Sequence, residues 1–292
     1  MDPISSLVIL AGGTSSRMKR EALNQEGLSS EQIKQANELS KGLIGVGQNG
    51  RPMLDYVLFN AKKAGYTKIY LVIGENGKKF REFYDADHKG IFHGLQILFA
   101  TQYVPEGRVK PFGTADALLQ AVEQYPELNT ERYSVCNSDN LYSIKAFEAL
   151  RNISAPNAFI AYDRDAMQFS EERIARFALA KLDDKGHLLD IIEKPVANEV
   201  DAYKDENGKL RVSMNIFTFD GPKMYPFLKN CPVHPERNEK ELPTALLNML
   251  QEHPLTVIGI PFSEHVPDLT AKDDIIEMKK YLETHYPVLD WD

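Results

Sequence analysis

Short apolar runs alternate with stretches of helical periodicity along this chain. The run at residues 6–11 is apolar on both faces, contains β-branched side chains, and ends at Gly12. Such a run is typical of a central parallel strand, because helices cover both faces of a parallel sheet. Residues 54–64 have helical spacing that stops at Gly65, and a second apolar run follows at 68–73. The pattern predicts a strand–helix–strand unit.

The same alternation continues along the chain and predicts a further helix and seven further strands. The helix is expected at 115–122, and the strands at 97–101, 133–137, 158–162, 175–182, 188–192, 212–219 and 256–260. Alternating strands and helices predict an α/β fold with a mostly parallel sheet, and the short strands of the second half predict a smaller, more antiparallel subregion. Since no linker or internal repeat divides the chain, residues 1–292 are expected to form a single domain.

Residues 19–40 differ in composition from the segments on either side. They are polar and rich in Gln, Glu and Lys, and Ser29 or Ser30 could cap a helix over 31–39. This composition predicts an insertion or lid rather than a part of the core.

Composition and charge narrow the classes of function. The 292 residues are 43% hydrophobic and carry a net charge of −8, values that exclude a disordered chain and disfavour a nucleic-acid binder. No apolar segment approaches the roughly 18 residues of a membrane span, and the first residues lack a basic signal-peptide region. We therefore expect a cytoplasmic protein, with no nucleic-acid or membrane partner and with homo-oligomerisation left open. Cys136 and Cys231 are expected to be buried free thiols, and the seven histidines show no ligand spacing.

The glycine-rich segment after the first strand is the strongest chemical feature. Gly12 and Gly13 would let a phosphate approach the backbone, a following helix would offer free N–H groups, and Arg17 would add a permanent charge. The spacing is not that of a dinucleotide fingerprint, and no P-loop Gly-Lys-Ser/Thr follows. A tight strand–helix turn without a ligand is the alternative.

Six motifs in order resemble those of the sugar-1-phosphate nucleotidylyltransferases. They are the loop at 10–18 (LAGGTSSRM), the Ser-Lys-Gly and Arg-Pro-Met-Leu segments at 40–54, Gln102 with Gly-Thr-Ala at 113–115, Asn-Ser-Asp-Asn at 137–140, Glu-Lys-Pro at 193–195, and Ser-Met-Asn-Ile-Phe at 213–217. The last is similar to the Ser-Met-Gly-Ile-Tyr strand of the ADP-glucose pyrophosphorylase branch, whose C-terminal β-helix repeats this chain lacks. The resemblance implies a three-layer α/β/α, Rossmann-like mixed sheet of the nucleotide-diphospho-sugar transferase type. Its nucleotide-binding part would span about 1–140 and its sugar-phosphate part about 141–292.

The resemblance implies transfer of a nucleotidyl group from an NTP to a sugar 1-phosphate with Mg²⁺. Arg17, Lys41 and Lys194 would be the catalytic cations, and Asp139 and Asp268 the metal ligands. The nucleotide would contact Ala11, Gly12, Gly13, Thr14, Ser15, Ser16, Arg17, Gln102, Gly113 and Thr114. The sugar phosphate would contact Asn140, Glu193, Lys194, Ser213 and Asn215.

Other interpretations of these residues remain open. Asp139 or Asp268 could cap a helix, and Glu193 could pair with a surface cation. Ser15 and Asn215 stand where many relatives carry glycine, and Asn215 would narrow or re-aim the sugar pocket. Two other functions fit the same motifs: transfer to a non-sugar phosphate, such as molybdopterin or an alditol phosphate, and a non-catalytic sensor of nucleotides or sugar phosphates.

Overall fold

The computed structural model describes residues 2–20, 27–87, 89–175, 177–193, 195–196 and 198–292. Within them, the strands are β1 Ser6–Leu10, β2 Lys68–Gly74, β3 Ile91–Phe92, β4 Leu95–Gln102, β5 Arg132–Asn137, β6 Asn157–Asp163, β7 Leu179–Leu182, β8 Leu188–Ile192, β9 Arg211–Asp220 and β10 Val257–Phe262. The α-helices are α1 Ser30–Glu38, α2 Met53–Lys63, α3 Lys78–Tyr84, α4 Thr114–Gln124, α5 Ile144–Asn152, α6 Glu171–Ile174, α7 Gly221–Lys229, α8 Leu242–Glu252 and α9 Asp274–His285.

A mixed, mostly parallel sheet forms the centre of the molecule, as the sequence predicts. Its strand order is β10-β6-β9-β5-β1-β2-β4-β3, with β9 and the edge strand β3 antiparallel to their neighbours. The β7–β8 hairpin pairs with β9 through β7 and forms the antiparallel subregion expected in the second half. Because β5 hydrogen-bonds to β9, strands from before and after residue 140 share one sheet. The assignment of residues 1–292 to one domain stays a prediction.

Strand β1 is buried on both faces, which explains its continuous apolar run. Leu7 and Ile9 point into a hydrophobic cluster that includes α2, α5 and α9, whereas Val8 points into a second cluster with α4, α7 and α8. Helices therefore cover both faces of the sheet, and the three-layer α/β/α architecture is confirmed. The loops that leave β1, β4 and β5 emerge at one edge of the sheet, because these strands run parallel through β1 and β2.

The predicted strand at 175–182 is half wrong. Only residues 179–182 form β7; the preceding helix α6 ends in a turn in which the Phe177 N–H donates to the Ile174 carbonyl at 3.1 Å. That turn uses the backbone donor that a longer strand would have needed for pairing.

The expectation that residues 19–40 lie off the core is wrong for α1. Ser29 and Gln32 form a capping box at its start, and Ala36 is fully buried in the cluster under α2. The Gln35 carboxamide oxygen also accepts the Gly45 N–H at 2.8 Å. These contacts fix α1 against the segment that carries Lys41, and residues 21–26 lie outside the described residues.

Several smaller expectations can be compared with the structure. Cys136 and Cys231 are both buried and free, as predicted. Trp291 is 8% exposed and stacks on His93 with ring centroids 4.2 Å apart, so the C-terminal segment packs against the body of the protein. His88 lies outside the described residues. In the part of the chain that the structure describes, no helix has the length and apolar character needed to cross a bilayer.

Candidate active site

The glycine-rich loop leaves the carboxyl end of β1 and forms one wall of a cavity of about 340 Å³. All ten residues predicted to contact the nucleotide line this cavity: Ala11, Gly12, Gly13, Thr14, Ser15, Ser16, Arg17, Gln102, Gly113 and Thr114. Ser15 adopts a φ of 55°, in the left-handed region. This is a backbone conformation that glycine adopts more readily than serine.

The expected helix directly after this loop is not present in the described residues. A single turn spans residues 15–20 instead, closed by the Lys19 N–H on the Ser15 carbonyl and the Arg20 N–H on the Arg17 carbonyl, each at 3.2 Å. Met18 is buried but its neighbours Lys19 and Arg20 are exposed, so this segment has no apolar stripe that would hold a helix on the core. The loop would therefore bind phosphate through its backbone N–H groups and Arg17, without a helix dipole.

Gln102, at the end of β4, is 3% exposed and uses its amide nitrogen inside the protein. That nitrogen donates to the Gly113 carbonyl at 3.0 Å and to Asp116 Oδ2 at 2.9 Å. Its carboxamide oxygen lies 3.0 Å from where a Cβ on Gly12 would stand. Gln102 thus joins the two loops that border the cavity, and only its oxygen is left for a base edge.

Gly113 lies where a side chain cannot fit. Its φ is +101°, and a Cβ would stand 2.3 Å from the Lys240 carbonyl oxygen. That carbonyl accepts the Ala115 N–H at 3.0 Å, and the Thr114 hydroxyl accepts the Leu242 N–H at 2.9 Å. The segment around Lys240 is therefore bound tightly to the Gly113 loop and carries Glu239 and Glu241 into the first cavity.

A second cavity, of about 720 Å³, adjoins the first. Arg17, Lys41 and Asp139 line both cavities, and Asp268 lines the second. Every predicted sugar-phosphate contact within the described residues also lines it: Asn140, Glu193, Ser213 and Asn215. Lys194 lies outside the described residues.

Backbone pairing brings the two predicted metal carboxylates together. The Leu269 N–H donates to the Asp139 carbonyl at 2.9 Å, and Asn140 and Asp268 form an antiparallel bridge. Neither aspartate caps a helix: Ser143 accepts the Ala146 N–H at the start of α5, and the turn before α9 is bound by Asp274. The helix-capping alternative for both residues is therefore wrong.

Each of these carboxylates has a basic partner. The Lys41 ammonium donates to Asp139 Oδ2 at 2.8 Å, and the Arg173 guanidinium forms an ion pair with Asp268. Burial raises the pKa of Asp268 to about 6; Arg173 acts to lower it, and the nearby charges of Asp139 and Asp274 act to raise it. Two carboxylates at one end of the second cavity thus meet two cations.

The Asp139 and Asp268 carboxylates fit the way in which proteins usually bind Mg²⁺. Within the described residues, no group of three or more His, Cys, Asp or Glu side chains could hold a metal. Mg²⁺ does not require such a cage, because one or two carboxylates, substrate phosphates and water complete its shell. Asp139, which lines both cavities, and Asp268, which lines the second, would supply those two carboxylates.

The polar wall of the second cavity has two further features. Glu193 forms an ion pair with Arg237, which also binds Glu241; the alternative interpretation of Glu193 as a partner of a surface cation is thus correct. Asn215 adopts a φ of +57° in the irregular part of β9, and its N–H donates to the Ser213 hydroxyl at 3.3 Å. The Asn side chain is exposed on the cavity wall.

Sequence reasoning missed several charged residues of the site, among them five that enter it through loops or short helices. Lys110, Glu239 and Glu241 line the first cavity, and Arg173 and Arg237 line the second. None of them belongs to a motif that the sequence displays, because each enters the site through a loop or short helix packed on a distant segment. Arg173 and Asp268, for example, are 95 positions apart.

Comparison with known proteins agrees with this fold. The family model described as nucleotidyl transferase matches residues 6–257. Among solved structures, the crystal structure of a UDP-glucose pyrophosphorylase in complex with UDP-glucose aligns with a TM-score of 0.68 at 13% sequence identity. The alignment covers 96% of this chain and 99% of that protein, so the two share their fold over nearly their whole length.

Proposed function

Because this chain belongs to the nucleotidyl transferase family, we propose that it transfers a nucleotidyl group from an NTP to a sugar 1-phosphate, giving an NDP-sugar and pyrophosphate. One observation carries the proposal: Arg17, Lys41 and Asp139 line two adjoining cavities at once. Two cavities that share their charged residues suit two phosphate-bearing substrates that must react with each other. The structural relative holds UDP-glucose, a product of this class.

The first cavity is assigned to the NTP. The backbone of Gly13 to Ser16 and the Arg17 guanidinium bind the β- and γ-phosphates and stabilise the pyrophosphate as it leaves. Lys41 contacts the α- or β-phosphate, and the base lies between the Gly12 backbone and the Gly113 loop. These roles suit the lining of the cavity, which includes the exposed Arg17 as well as Gly12 and Gly113.

The second cavity is assigned to the sugar 1-phosphate. Glu193 and Ser213 bind sugar hydroxyls, and Asn140 and Asn215 complete the polar wall. Lys194, outside the described residues, is proposed as a further contact of the sugar phosphate. Since Glu193 pairs with Arg237, sugar binding would compete with that ion pair.

Asp139 and Asp268 would hold Mg²⁺, which supplies charge neutralisation for the phosphates when bound. The acceptor phosphate needs no strong general base, because a phosphate monoester is largely dianionic near pH 7. One of its oxygens attacks the α-phosphorus, and the bond to the pyrophosphate oxygen breaks. The residues of this chain therefore act by positioning two anions and by countering their repulsion.

Pyrophosphate release tests this proposal. The four NTPs are each combined with a panel of sugar 1-phosphates and Mg²⁺, and the same panel includes an alditol phosphate and molybdopterin as acceptors. We expect turnover with at least one sugar 1-phosphate, and product analysis should give the matching NDP-sugar. A cytoplasmic location and a homo-oligomer stay predictions that this assay does not address.

The panel separates the alternatives. Turnover only with the alditol phosphate or molybdopterin would replace the sugar 1-phosphate with a non-sugar acceptor. Binding of nucleotide or sugar phosphate without turnover in any combination would favour a sensor. The presence of both Asp139 and Asp268 on the second cavity supports an enzyme, since a sensor has no need of two metal carboxylates.

A further inference from the structure

The Arg173 guanidinium is held on three sides at the edge of the second cavity. Its Nη1 donates to Asp274 Oδ1 at 2.6 Å, and its Nη2 donates to Asp268. The carbon at the centre of the guanidinium lies 4.2 Å from the centroid of the Phe169 ring. Stacking on an aromatic face and two ion pairs fix both the plane and the rotation of an arginine side chain. Arg173 is thus preorganised, with 24% of its side chain exposed.

The two aspartates that bind Arg173 are not equivalent. Asp274 Oδ2 accepts the N–H groups of Thr270 and Ala271, each at 2.7 Å, so this carboxylate also holds the turn before α9. Asp268 Oδ2, by contrast, accepts only a long hydrogen bond from the Thr270 hydroxyl, at 3.4 Å, among the described side chains other than Arg173. Asp274 is therefore a fixed anchor for Nη1, whereas Asp268 can exchange the Nη2 group for another ligand.

The charges at this end of the cavity favour such an exchange. Lys41 forms an ion pair with Asp139, and Arg173 forms one with Asp268. A divalent cation that binds alone must compete with these two positive charges for the carboxylates. A phosphate that binds alone is repelled by the two carboxylates. When both arrive, the carboxylates can turn to the metal and the basic groups to the phosphate, so that every charge keeps a partner.

We propose that Arg173 binds the phosphate of the acceptor by exchanging Asp268 for it while it remains anchored on Asp274. The inference rests on the proposed function, which places the acceptor in the second cavity. Arg173 lines that cavity together with Ser213 and Asn215 and does not line the first cavity. The phosphate group that it binds is therefore that of the acceptor and not one of the NTP. A consequence is that the divalent cation and the acceptor phosphate bind cooperatively, each strengthening the other's binding.

Binding measurements with Mn²⁺ and methyl phosphate test this exchange without catalysis. Mn²⁺ replaces Mg²⁺ because free Mn²⁺ can be followed by electron paramagnetic resonance, and methyl phosphate presents a monoester dianion without committing to a sugar. In the wild-type protein, saturating methyl phosphate should tighten Mn²⁺ binding. In R173Q, methyl phosphate should bind in the presence of Mn²⁺ about tenfold to a hundredfold more weakly, the usual effect of losing a charged hydrogen bond.

The same R173Q substitution should change binding of Mn²⁺ alone in the opposite direction. Removing the competing guanidinium from Asp268 should tighten Mn²⁺ binding by about threefold or more. A purely structural role of Arg173 would instead weaken both ligands together. R173K keeps the positive charge but loses the bidentate hydrogen bonding of the guanidinium. Its affinity for methyl phosphate should lie between those of wild type and R173Q. R164Q is the matched control, since it removes one positive charge at a half-buried residue that lines neither cavity, and should change neither affinity.

The outcomes separate this inference from the proposed function. If wild-type protein shows no saturable binding of methyl phosphate with Mn²⁺, or if R173Q and R173K both bind it like wild type, the exchange is wrong even when turnover with a sugar 1-phosphate is found. If the opposite effects of R173Q are found but no sugar 1-phosphate turns over, Arg173 still binds a phosphate and the sugar acceptor is wrong. Circular dichroism spectra confirm that each variant is folded before binding is compared.

Discussion

The Lys41 ammonium donates to the Asp139 carboxylate at 2.8 Å across 98 positions of sequence. Lys41 lies in a short 3₁₀ helix, Lys41–Leu43, against which α2 packs, and Asp139 follows β5. Neither residue is fully exposed: 14% of the Lys41 side chain and 23% of the Asp139 side chain are accessible. Both residues line the two cavities, so a basic group directly contacts the carboxylate that is proposed to bind the metal.

Replacing Asp139 with Asn should abolish turnover and leave the fold intact. The amide has the size of the carboxylate but not its charge, so it would bind Mg²⁺ poorly and leave the Lys41 charge without its partner. We expect pyrophosphate release to fall at least about a hundredfold. Because the pair is partly exposed, the free energy of unfolding should change by less than about 1 kcal/mol.

Asp184→Asn is the control for this substitution. Asp184 is exposed in the turn between β7 and β8, and it lines neither cavity, so the variant changes the net charge equally. It should keep wild-type activity. Wild-type rates in Asp139→Asn would remove this carboxylate from the proposed metal site.

Replacing Gly113 with Ala should destabilise the protein more than the same change at Gly107. Both glycines have positive φ, +101° and +80°, so both variants lose about 1–2 kcal/mol from backbone strain. A Cβ at Gly113 would also stand 2.3 Å from the Lys240 carbonyl oxygen, whereas nothing lies within 4 Å of a Cβ at Gly107. Urea unfolding should show G113A at least about 2 kcal/mol less stable than G107A. Equal stabilities would mean that the Lys240 segment moves away freely.

The parts of the site that follow parallel strands could be predicted from sequence. The glycine-rich loop, Gln102 and Asp139 each lie at the carboxyl end of a predicted strand, and parallel strands bring such ends to one edge of the sheet. Apolar runs locate those strands because both faces of the sheet are covered. The resemblance to the family then suggested Asp268, which the structure brings beside Asp139 through backbone pairing.

Residues placed by distant packing could not be predicted in the same way. Arg173 gains its position from Phe169, Asp268 and Asp274, and the contact with Asp274 spans 101 positions. The hydrophobic periodicity of the sequence does not indicate such a contact. The polar composition of α1 was misleading for a related reason, since one buried alanine and two glutamine hydrogen bonds are enough to fix that helix on the core. Likewise, the turn after the glycine-rich loop depends on backbone conformation at Ser15, which residue type does not determine.

Asn215 should tolerate Gly but not Ala in terms of stability. Its φ of +57° lies in the left-handed region, which Asn and Gly accept more readily than other residues. N215A should therefore lose about 1 kcal/mol in urea unfolding, and N215G should stay within about 0.5 kcal/mol of wild type. Both variants remove a side chain from the second cavity, so both should change the KM for the acceptor and leave the KM for the NTP unchanged.

Asn49 supplies a matched control for Asn215. It has almost the same φ, +56°, is exposed, and lines neither cavity. N49A should lose similar stability without any change in the KM for the acceptor. If N215A behaves like N49A in both measurements, the Asn215 side chain does not contribute to the acceptor site.

His265 should make the folded protein sensitive to acid. Burial lowers the pKa of His265 to about 4, and the positive charge of Arg173 acts in the same direction. The imidazole Nδ1 also accepts the Gln168 N–H at 3.2 Å, which requires the unprotonated nitrogen. Between the ordinary pKa of about 6.5 and about 4, the unfolded chain therefore binds a proton that the folded chain does not, and stability should fall as pH falls through this window.

His265→Gln isolates this contribution, because groups that titrate equally in both proteins cancel when their stabilities are compared at each pH. Gln keeps an acceptor for the Gln168 N–H and has no charge to acquire. The free energy of unfolding of wild type minus that of the variant should be constant above about pH 7 and should decrease steadily from there to about pH 4.5. A difference that does not change with pH would show that His265 takes up its proton without leaving its place beside Phe169 and Arg173. In that event its burial would not control the acid stability of the α6 region that carries Arg173.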